Sequence, residues 1–343
     1  MKRAVWIISE GSPGHISQSE GLVAALARRI DLESTIIETR PKLNGFARTL
    51  CRLLMGNRGL PDPFIKRWLR CVPPTSKPDL IVTSGGKAVF AARSLAVRTG
   101  APLVFIGERK PYPSEWFHTV FTPSPFETGR NDVPIEMIPT QVSREGVEKA
   151  AAAWIERPAG RLWAMVIGGT TVSHRYAAAD WDALAASMNT LARREGIRWL
   201  VTTSRRTGAI AEARLRASLA LDVLAANVWW ADKPEKKMHA FLGAAECVVV
   251  TQDSITMVTE AVASSRPVLV VKPHTVVFRK KSFFSKYIES LVTCKRIDTM
   301  DIVSLATYVL GEAHLVVRNT AVNDELAETT LIRLSWIPEP DET

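Results

Sequence analysis

Four clusters of polar residues stand directly after short apolar runs in the second half of this chain, and their residue types suit an anion. Gly168-Gly169-Thr170 follows Leu162–Ile167, and Ser204-Arg205-Arg206-Thr207 follows Trp199–Thr203. Gln252-Asp253-Ser254 follows Cys247–Thr251, and Lys272-Pro273-His274 follows Pro267–Val271. Two adjacent arginines at a strand end offer planar guanidinium donors that match phosphate oxygens two at a time. Asp253 and Ser254 open a helical stretch, so free backbone N–H groups and the positive end of a helix dipole point beyond the strand, where a diphosphate is suited. Ser254 also reads as a plain N-cap. Met257 and Glu260 follow on that helix, and Glu260 stands where a carboxylate accepts hydrogen bonds from sugar hydroxyls, as acidic residues do for ribose in nucleotide folds.

The first half carries two similar turns. Gly11-Ser12-Pro13-Gly14-His15 follows the apolar run Arg3–Ser9, and Ser84-Gly85-Gly86-Lys87 follows Asp79–Thr83. Glycines there allow close backbone approach to a ligand. His15 has the chemistry of a general base near neutral pH; a packing or capping role at a helix start is the competing reading, and Glu10 and Glu20 are rival bases. Ser84-Gly85-Gly86 reads either as an acceptor- or phosphate-facing turn or as a plain helix entry. No G-x-G-x-x-G spacing and no G-x-x-x-x-G-K-[ST] occurs, which excludes P-loop ATP hydrolysis. Cys51, Cys71, Cys247 and Cys294 form no close pairs and lack zinc-ligand spacing, as expected in a reducing compartment.

These residues need elements to position them. Short apolar runs alternate with helical patterns in two rounds, which predicts parallel sheets covered on both faces. In the first round, strands are expected at Arg3–Ser9, Ser34–Glu38, Asp79–Thr83, Pro102–Ile106 and Thr119–Phe121, and helices at Ile16–Arg29 and Ala88–Arg98, the latter closed by Gly100. A helix over 143–156 leads to Arg157-Pro158-Ala159-Gly160, read as the interdomain linker. The second round brings helices at Ala178–Glu195, Ala209–Leu219, Pro234–Ala244, Lys280–Leu291 and Ile302–Leu310 between the four strands already named. The expected domains are 1–157 and 158–310, with a helical tail 311–343 packing back on the first.

The 343 residues are 46% hydrophobic and 23% charged, an ordinary globular mix. No apolar run is long enough for a transmembrane helix, and the basic-then-apolar N-terminus reads as a first buried strand of a cytosolic protein, not a signal peptide. The net charge of +9 is concentrated over residues 40–72, where eight basic residues face one acid, Asp62. Arg48, Arg52, Lys66, Arg67 and Arg70 interleave there with Leu43, Phe46, Leu50, Leu53, Leu54, Phe64 and Trp68. A basic amphipathic stretch with aromatics suits an anionic membrane surface; nucleic-acid binding and a solvated helix face packed on the core are the competing readings. Arg279-Lys280-Lys281 with Phe283-Phe284 reads as a loop closing over the same anion or as a plain basic loop.

The chain resembles the mitochondrial-fission Elm family of candidate glycosyltransferases over roughly residues 10–265. The specific pieces are Thr203-Ser204-Arg205-Arg206-Thr207 and Asp253-Ser254-x-x-Met257-x-x-Glu260-Ala261. Gly14-His15 with Gln18 and Gly21-Leu22, Thr83-Ser84-Gly85-Gly86-Lys87 and Ile167-Gly168-Gly169 accompany them. More distantly, the second half is similar to the peptidoglycan N-acetylglucosaminyltransferase family that forms lipid II. This resemblance implies an α/β GT-B fold, with two Rossmann-like domains facing a cleft. It implies donor binding at Gly169, Thr170, Ser204, Arg205, Arg206, Asp253, Ser254, Met257 and Glu260, with Glu260 on the ribose and the N–H groups near Ser254 and Ile255 on the diphosphate. It places Gly14, Ser84, Gly85 and Gly86 on the acceptor side, makes His15 the catalytic residue, and puts Arg48, Arg52, Lys66, Arg67, Trp68 and Arg70 against the membrane. The implied function is a metal-independent, nucleotide-sugar-dependent glycosyltransferase at the cytoplasmic membrane face, acting on a glycolipid or lipopolysaccharide-type acceptor. The nucleoside-diphosphate sugar is a co-substrate, so no cofactor is expected, and no nucleic acid. The alternatives are a UDP-sugar 2-epimerase-like enzyme and a non-catalytic membrane-surface adaptor that retains the fold.

Overall fold

The computed structural model describes residues 2–41, 45–55, 58–123, 129–277, 282–311 and 322–338, which fall into two units. Met1–Gln141 with Thr320–Thr343 form the first, and Val142–Asn319 form the second.

The first unit is built on a six-stranded parallel sheet in the order β2-β1-β3-β4-β5-β6. Its elements are β1 (Arg3–Ser9), α1 (Pro13–Ala27), β2 (Leu32–Glu38), α2 (Gly45–Met55), α3 (Asp62–Trp68), β3 (Leu80–Ser84), α4 (Val89–Thr99), β4 (Leu103–Ile106), β5 (Thr119–Thr122) and β6 (Asp132–Pro134). β3, β4 and β5 are buried at every position, as strands covered on both faces must be. Phe90, Phe105, Trp116 and Phe117 fill the core on one side of them. α4 stops at Gly100, whose φ of 71° is open to glycine at little cost. The C-terminal helix Val322–Arg333 belongs to this unit and lies on α1: Arg28 pairs with Asp324, Arg29 with Glu328 at 3.1 Å, and Leu326, Ala327 and Leu331 are buried. Asn323 fastens its start by accepting from Thr140 N–H (3.2 Å) and donating to Thr140 C=O (2.5 Å).

The second unit repeats the plan with a six-stranded parallel sheet in the order β10-β9-β7-β11-β12-β14. It contains α5 (Arg144–Ala152), β7 (Leu162–Val166), β8 (His174–Arg175), α6 (Ala178–Glu195), β9 (Arg198–Thr202), α7 (Ala209–Ser218), β10 (Leu224–Val228), α8 (Met238–Ala244), β11 (Cys247–Thr251), α9 (Ile255–Ala263), β12 (Val268–Lys272), β13 (Thr275–Val276), α10 (Phe283–Thr293) and β14 (Asp298–Asp301). β8 and β13 form a separate antiparallel pair. Trp163 and Trp199 meet edge to face at 6.0 Å in the core. Serine side chains cap α5, α9 and α10, and Gly196 (φ 64°) ends α6.

Three features differ from the sequence reading. The division between units precedes α5, not the turn at Arg157–Gly160, because α5 packs on α8. Gly243 makes that possible: a Cβ there would sit 1.9 Å from the Val147 carbonyl oxygen. The edge strands β6, β10 and β14 were not expected, because short and polar segments such as Asp298-Thr-Met-Asp301 carry no buried-strand pattern. The segment expected to be helical over Ile302–Leu310 is a 3-10 turn over Ile302–Thr307.

Cys51, Cys71 and Cys247 are buried free thiols, and Cys294 is an exposed one. Burial pushes Cys71 up to about 11 and Cys247 up to about 12, so both stay protonated and inert. Among the described residues no helix is long and apolar enough to cross a membrane.

Candidate functional site

In the second unit β9 lies on one side of β7 and β11 on the other, and the chain order reverses between β7 and β11. The crevice beyond the carboxyl ends at such a switch point is where open α/β sheets take ligands. Gly168-Gly169 leaves β7 there, and Asp253-Ser254 leaves β11. The two turns are tied together: Gly168 N–H donates to Thr251 Oγ1 at 2.7 Å and Gly169 N–H to Asp253 Oδ2 at 3.0 Å. Both glycines are required by close packing. A Cβ on Gly168 would lie 2.0 Å from Asp253 Oδ2, and one on Gly169 would lie 2.2 Å from the Arg206 carbonyl oxygen.

Asp253 organises this crevice. Its side chain is fully buried and also accepts from Tyr176 Oη (3.1 Å) and from an Arg206 guanidinium nitrogen (2.7 Å). Burial, and then the adjacent Asp253 charge, push the Tyr176 hydroxyl far up, so it remains a donor. Tyr176 in turn stacks on Trp181 at 4.5 Å. Beside it, buried His174 places Nε2 3.1 Å from Gln252 Oε1, and desolvation lowers its pKa, keeping it neutral. Asp180 holds the neighbouring strand end, accepting from Ala177 N–H (2.7 Å) and His274 N–H (3.0 Å). Neither Tyr176 nor His174 carries a motif or periodicity that would single it out in sequence.

The two arginines part ways. Arg206 is committed to Asp253, whereas Arg205 is exposed and has no hydrogen-bond or ion-pair partner among the described residues. Thr207, by contrast, turns inward onto the Gly168 carbonyl. Ser204 is half-buried beside it, and Thr170 is exposed at the end of the glycine turn. Ser254 caps α9 by accepting from Met257 N–H at 3.4 Å, which leaves the first N–H groups of that helix without intrahelical partners. Glu260 follows on α9, half-buried, with no hydrogen-bond or ion-pair partner among the described residues. Desolvation alone pushes its carboxyl up to about 7.

The first unit brings its own candidates to the equivalent place. β1 is flanked by β2 and β3, so the turns after β1 and β3 meet at a switch point. His15 Nδ1 lies 2.6 Å from Glu10 Oε1, which leaves His15 Nε2 available. Glu10 Oε2 is buried and has no hydrogen-bond partner among the described residues. Gly85 (φ 82°) presses against this pair: a Cβ there would lie 2.2 Å from His15 Nδ1 and 2.7 Å from Glu10 Oε1. Ser84 Oγ donates to the His15 carbonyl at 2.5 Å, Ser19 reaches Ser84 at 3.3 Å, and Tyr112 Oη donates to the Gly86 carbonyl at 2.6 Å. Gly14 is in the first turn of α1. Glu20 is engaged elsewhere, accepting from Gln141 at 2.7 Å.

Of the basic stretch, Arg48, Lys66, Arg67 and Trp68 are exposed and Arg52 is half-exposed, on α2 and α3, and Arg70 is exposed just after α3. Lys42, Leu43 and the Arg279-Lys280-Lys281 segment lie outside the described residues, as does the Phe46 side chain.

The model of the mitochondrial fission ELM1 family matches residues 13–330. The chain belongs to that family. No curated protein matches it by sequence. Among solved structures, this Elm-family chain is similar to Staphylococcus aureus MnaA in complex with UDP (13% identity, 99% of this chain and 100% of that one, TM-score 0.57). It is similar to the UDP-GlcNAc 2-epimerase of Methanocaldococcus jannaschii (11%, 98% and 100%, TM-score 0.56) and to Arabidopsis thaliana UGT89C1 in complex with UDP (11%, 98% and 100%, TM-score 0.51). The fold is therefore GT-B, with two Rossmann-like units in one Elm-family chain.

Proposed function

We propose that this protein is a nucleotide-sugar-dependent glycosyltransferase, with its donor held on the second unit and its general base, His15, on the first. The observation that carries the reading is Glu260, a half-buried carboxylate with no described partner, on the helix that starts at the β7/β11 crevice. A carboxylate kept from water and left without donors is matched by a pair of ribose hydroxyls. The open N–H groups at the start of α9 and the unengaged Arg205 then face a diphosphate. Arg206 and Asp253 set the shape of the turn. Two of the structurally similar proteins hold UDP, which supports UDP as the nucleotide.

In the proposed reaction an acceptor hydroxyl attacks the anomeric carbon and gives its proton to His15 Nε2. The bond from that carbon to the diphosphate oxygen breaks, and Arg205 with the α9 dipole takes up the charge on the departing nucleoside diphosphate. Glu10 holds the imidazole in the tautomer with Nδ1–H toward Oε1. The acceptor we infer is a lipid-linked sugar or glycolipid at an anionic membrane face, supported by the exposed basic surface of α2 and α3. Titration calorimetry with UDP and UDP-GlcNAc tests the donor half: saturable binding that weakens in Glu260→Gln is expected, and no binding of any nucleoside diphosphate sugar would overturn it.

A second reading, epimerisation of a UDP-sugar, is favoured by the similarity to a UDP-GlcNAc 2-epimerase and by the Glu10–His15 pair, whose groups could move a proton at a sugar carbon. It predicts exchange of the sugar C2 hydrogen with deuterium oxide without any acceptor, whereas transfer predicts none.

A further inference from the structure

Between α2 and α3 the first unit carries an apolar groove of about 740 Å³, inside the roughly 300–1,000 Å³ range of ligand sites. Leu50, Leu54, Phe64 and Trp68 line its walls, with Cys51 and Leu60 beneath. Leu54 is 71% exposed, Trp68 47% and Leu50 45%. The Phe64 and Trp68 rings stack at 6.0 Å and 21°, giving α3 a flat aromatic wall. The groove is a built feature of the unit. Gly59 (φ 71°) turns the chain between the two helices, and Leu60 N–H donates to Ser94 Oγ on α4 at 2.9 Å.

One cation, Arg58, lines the groove itself. Arg48, Arg52, Lys66 and Arg67 stand on the two helices that form it. None of the five holds an ion pair with a described residue, and Asp62, the acid of this stretch, is taken by Arg98 at 2.8 Å. A groove lined by hydrocarbon with a guanidinium, Arg58, in its wall is complementary to an amphiphile with an anionic head. A nucleic acid would use the cations and leave Leu50 and Leu54 in water. Adhesion to a bilayer surface would use all the exposed leucines of α2 alike, including Leu53, which is also 71% exposed but does not line the groove.

We propose that this groove takes in one hydrocarbon chain of a phosphate-bearing lipid, its headgroup resting on Arg58. The protein then holds a lipid molecule individually, beyond lying on a charged surface, and does so whether or not it transfers a sugar. The test uses the full chain and dodecyl phosphate kept below its micelle-forming concentration. Binding is followed by calorimetry and by the part of the tryptophan fluorescence that Trp68→Phe removes. Saturable binding at one molecule per chain is expected. Leu54→Gln, a change at an exposed position that leaves the core intact, should weaken it about tenfold, while Leu53→Gln leaves it unchanged. Arg58→Glu should weaken dodecyl phosphate but not dodecyl maltoside, which has the same chain and no charge. Four results would overturn the proposal: no saturable binding; equal losses in Leu53→Gln and Leu54→Gln; inorganic phosphate binding as tightly as dodecyl phosphate; or sedimentation showing a dimer that Leu54→Gln dissociates, which would make a second copy of the chain the occupant.

Discussion

Replacing Glu260 by glutamine should change two pH profiles in opposite directions. In the free protein its carboxyl is raised from 4.5 to about 7 by desolvation. The folded state therefore holds this proton more tightly than the unfolded state. Its favourable contribution is complete below about pH 4.5 and is lost as pH rises through 7. With about 1.4 kcal/mol per unit, the loss between about pH 5.5 and 8.5 is on the order of 2 kcal/mol. Urea unfolding followed by tryptophan fluorescence should show that slope in the wild type and a flat profile for Glu260→Gln, which becomes the more stable protein in alkali. Binding of UDP-GlcNAc runs the other way. Ribose hydroxyls donate best to the ionised carboxylate, so affinity should rise as pH passes through 7, with proton release seen by calorimetry in two buffers. Glu260→Gln should bind more weakly at alkaline pH by about 1.5–3 kcal/mol, the worth of hydrogen bonds to a charged group, and without the slope. Wild-type affinity in the variant, or the same pH slope in both proteins, would refute the ribose assignment.

His15→Gln should lower turnover by about 10²–10⁴ while UDP-GlcNAc affinity stays unchanged; equal losses in both would remove it as the base. Glu10→Gln should lower kcat and alter its pH profile, with KM for the donor unchanged in steady-state assays. Gly243→Ala should destabilise the second unit by about 1–3 kcal/mol in urea unfolding, because α8 must retreat from the α5 backbone. Reversing the charges of Arg48, Arg52, Lys66 and Arg67 should release the protein from anionic liposomes in co-sedimentation, and a wild type that never binds them would refute the membrane assignment.

Much of the fold was legible because its central strands are apolar runs with polar punctuation. β1 and β11 stand at the residues the sequence indicated, and α6 spans Ala178–Glu195 up to Gly196. Of the edge strands, β2 was legible and β6, β10 and β14 were not, since an edge position buries less and Asp298-Thr-Met-Asp301 shows it. The Ser-Arg-Arg and Asp-Ser clusters were visible as residue types, and the sheet order brings their strands together around one crevice. Their division of labour was not visible. Arg205 and Arg206 are equivalent on paper, and only the Asp253 carboxylate, 47 positions away, separates them. The Glu10–His15 contact, five residues apart, depends on Gly85, which lies on a different strand end.

The C-terminal helix has a consequence for how the molecule is made. The helix that covers α1 is encoded after the whole of the second unit, so a growing chain must leave α1 uncovered until that unit has been synthesised. The second unit, contiguous from Val142 to Asn319, is free of that wait. The later-encoded unit can thus mature ahead of the earlier one, and damage to the Val322–Arg333 helix is felt at α1.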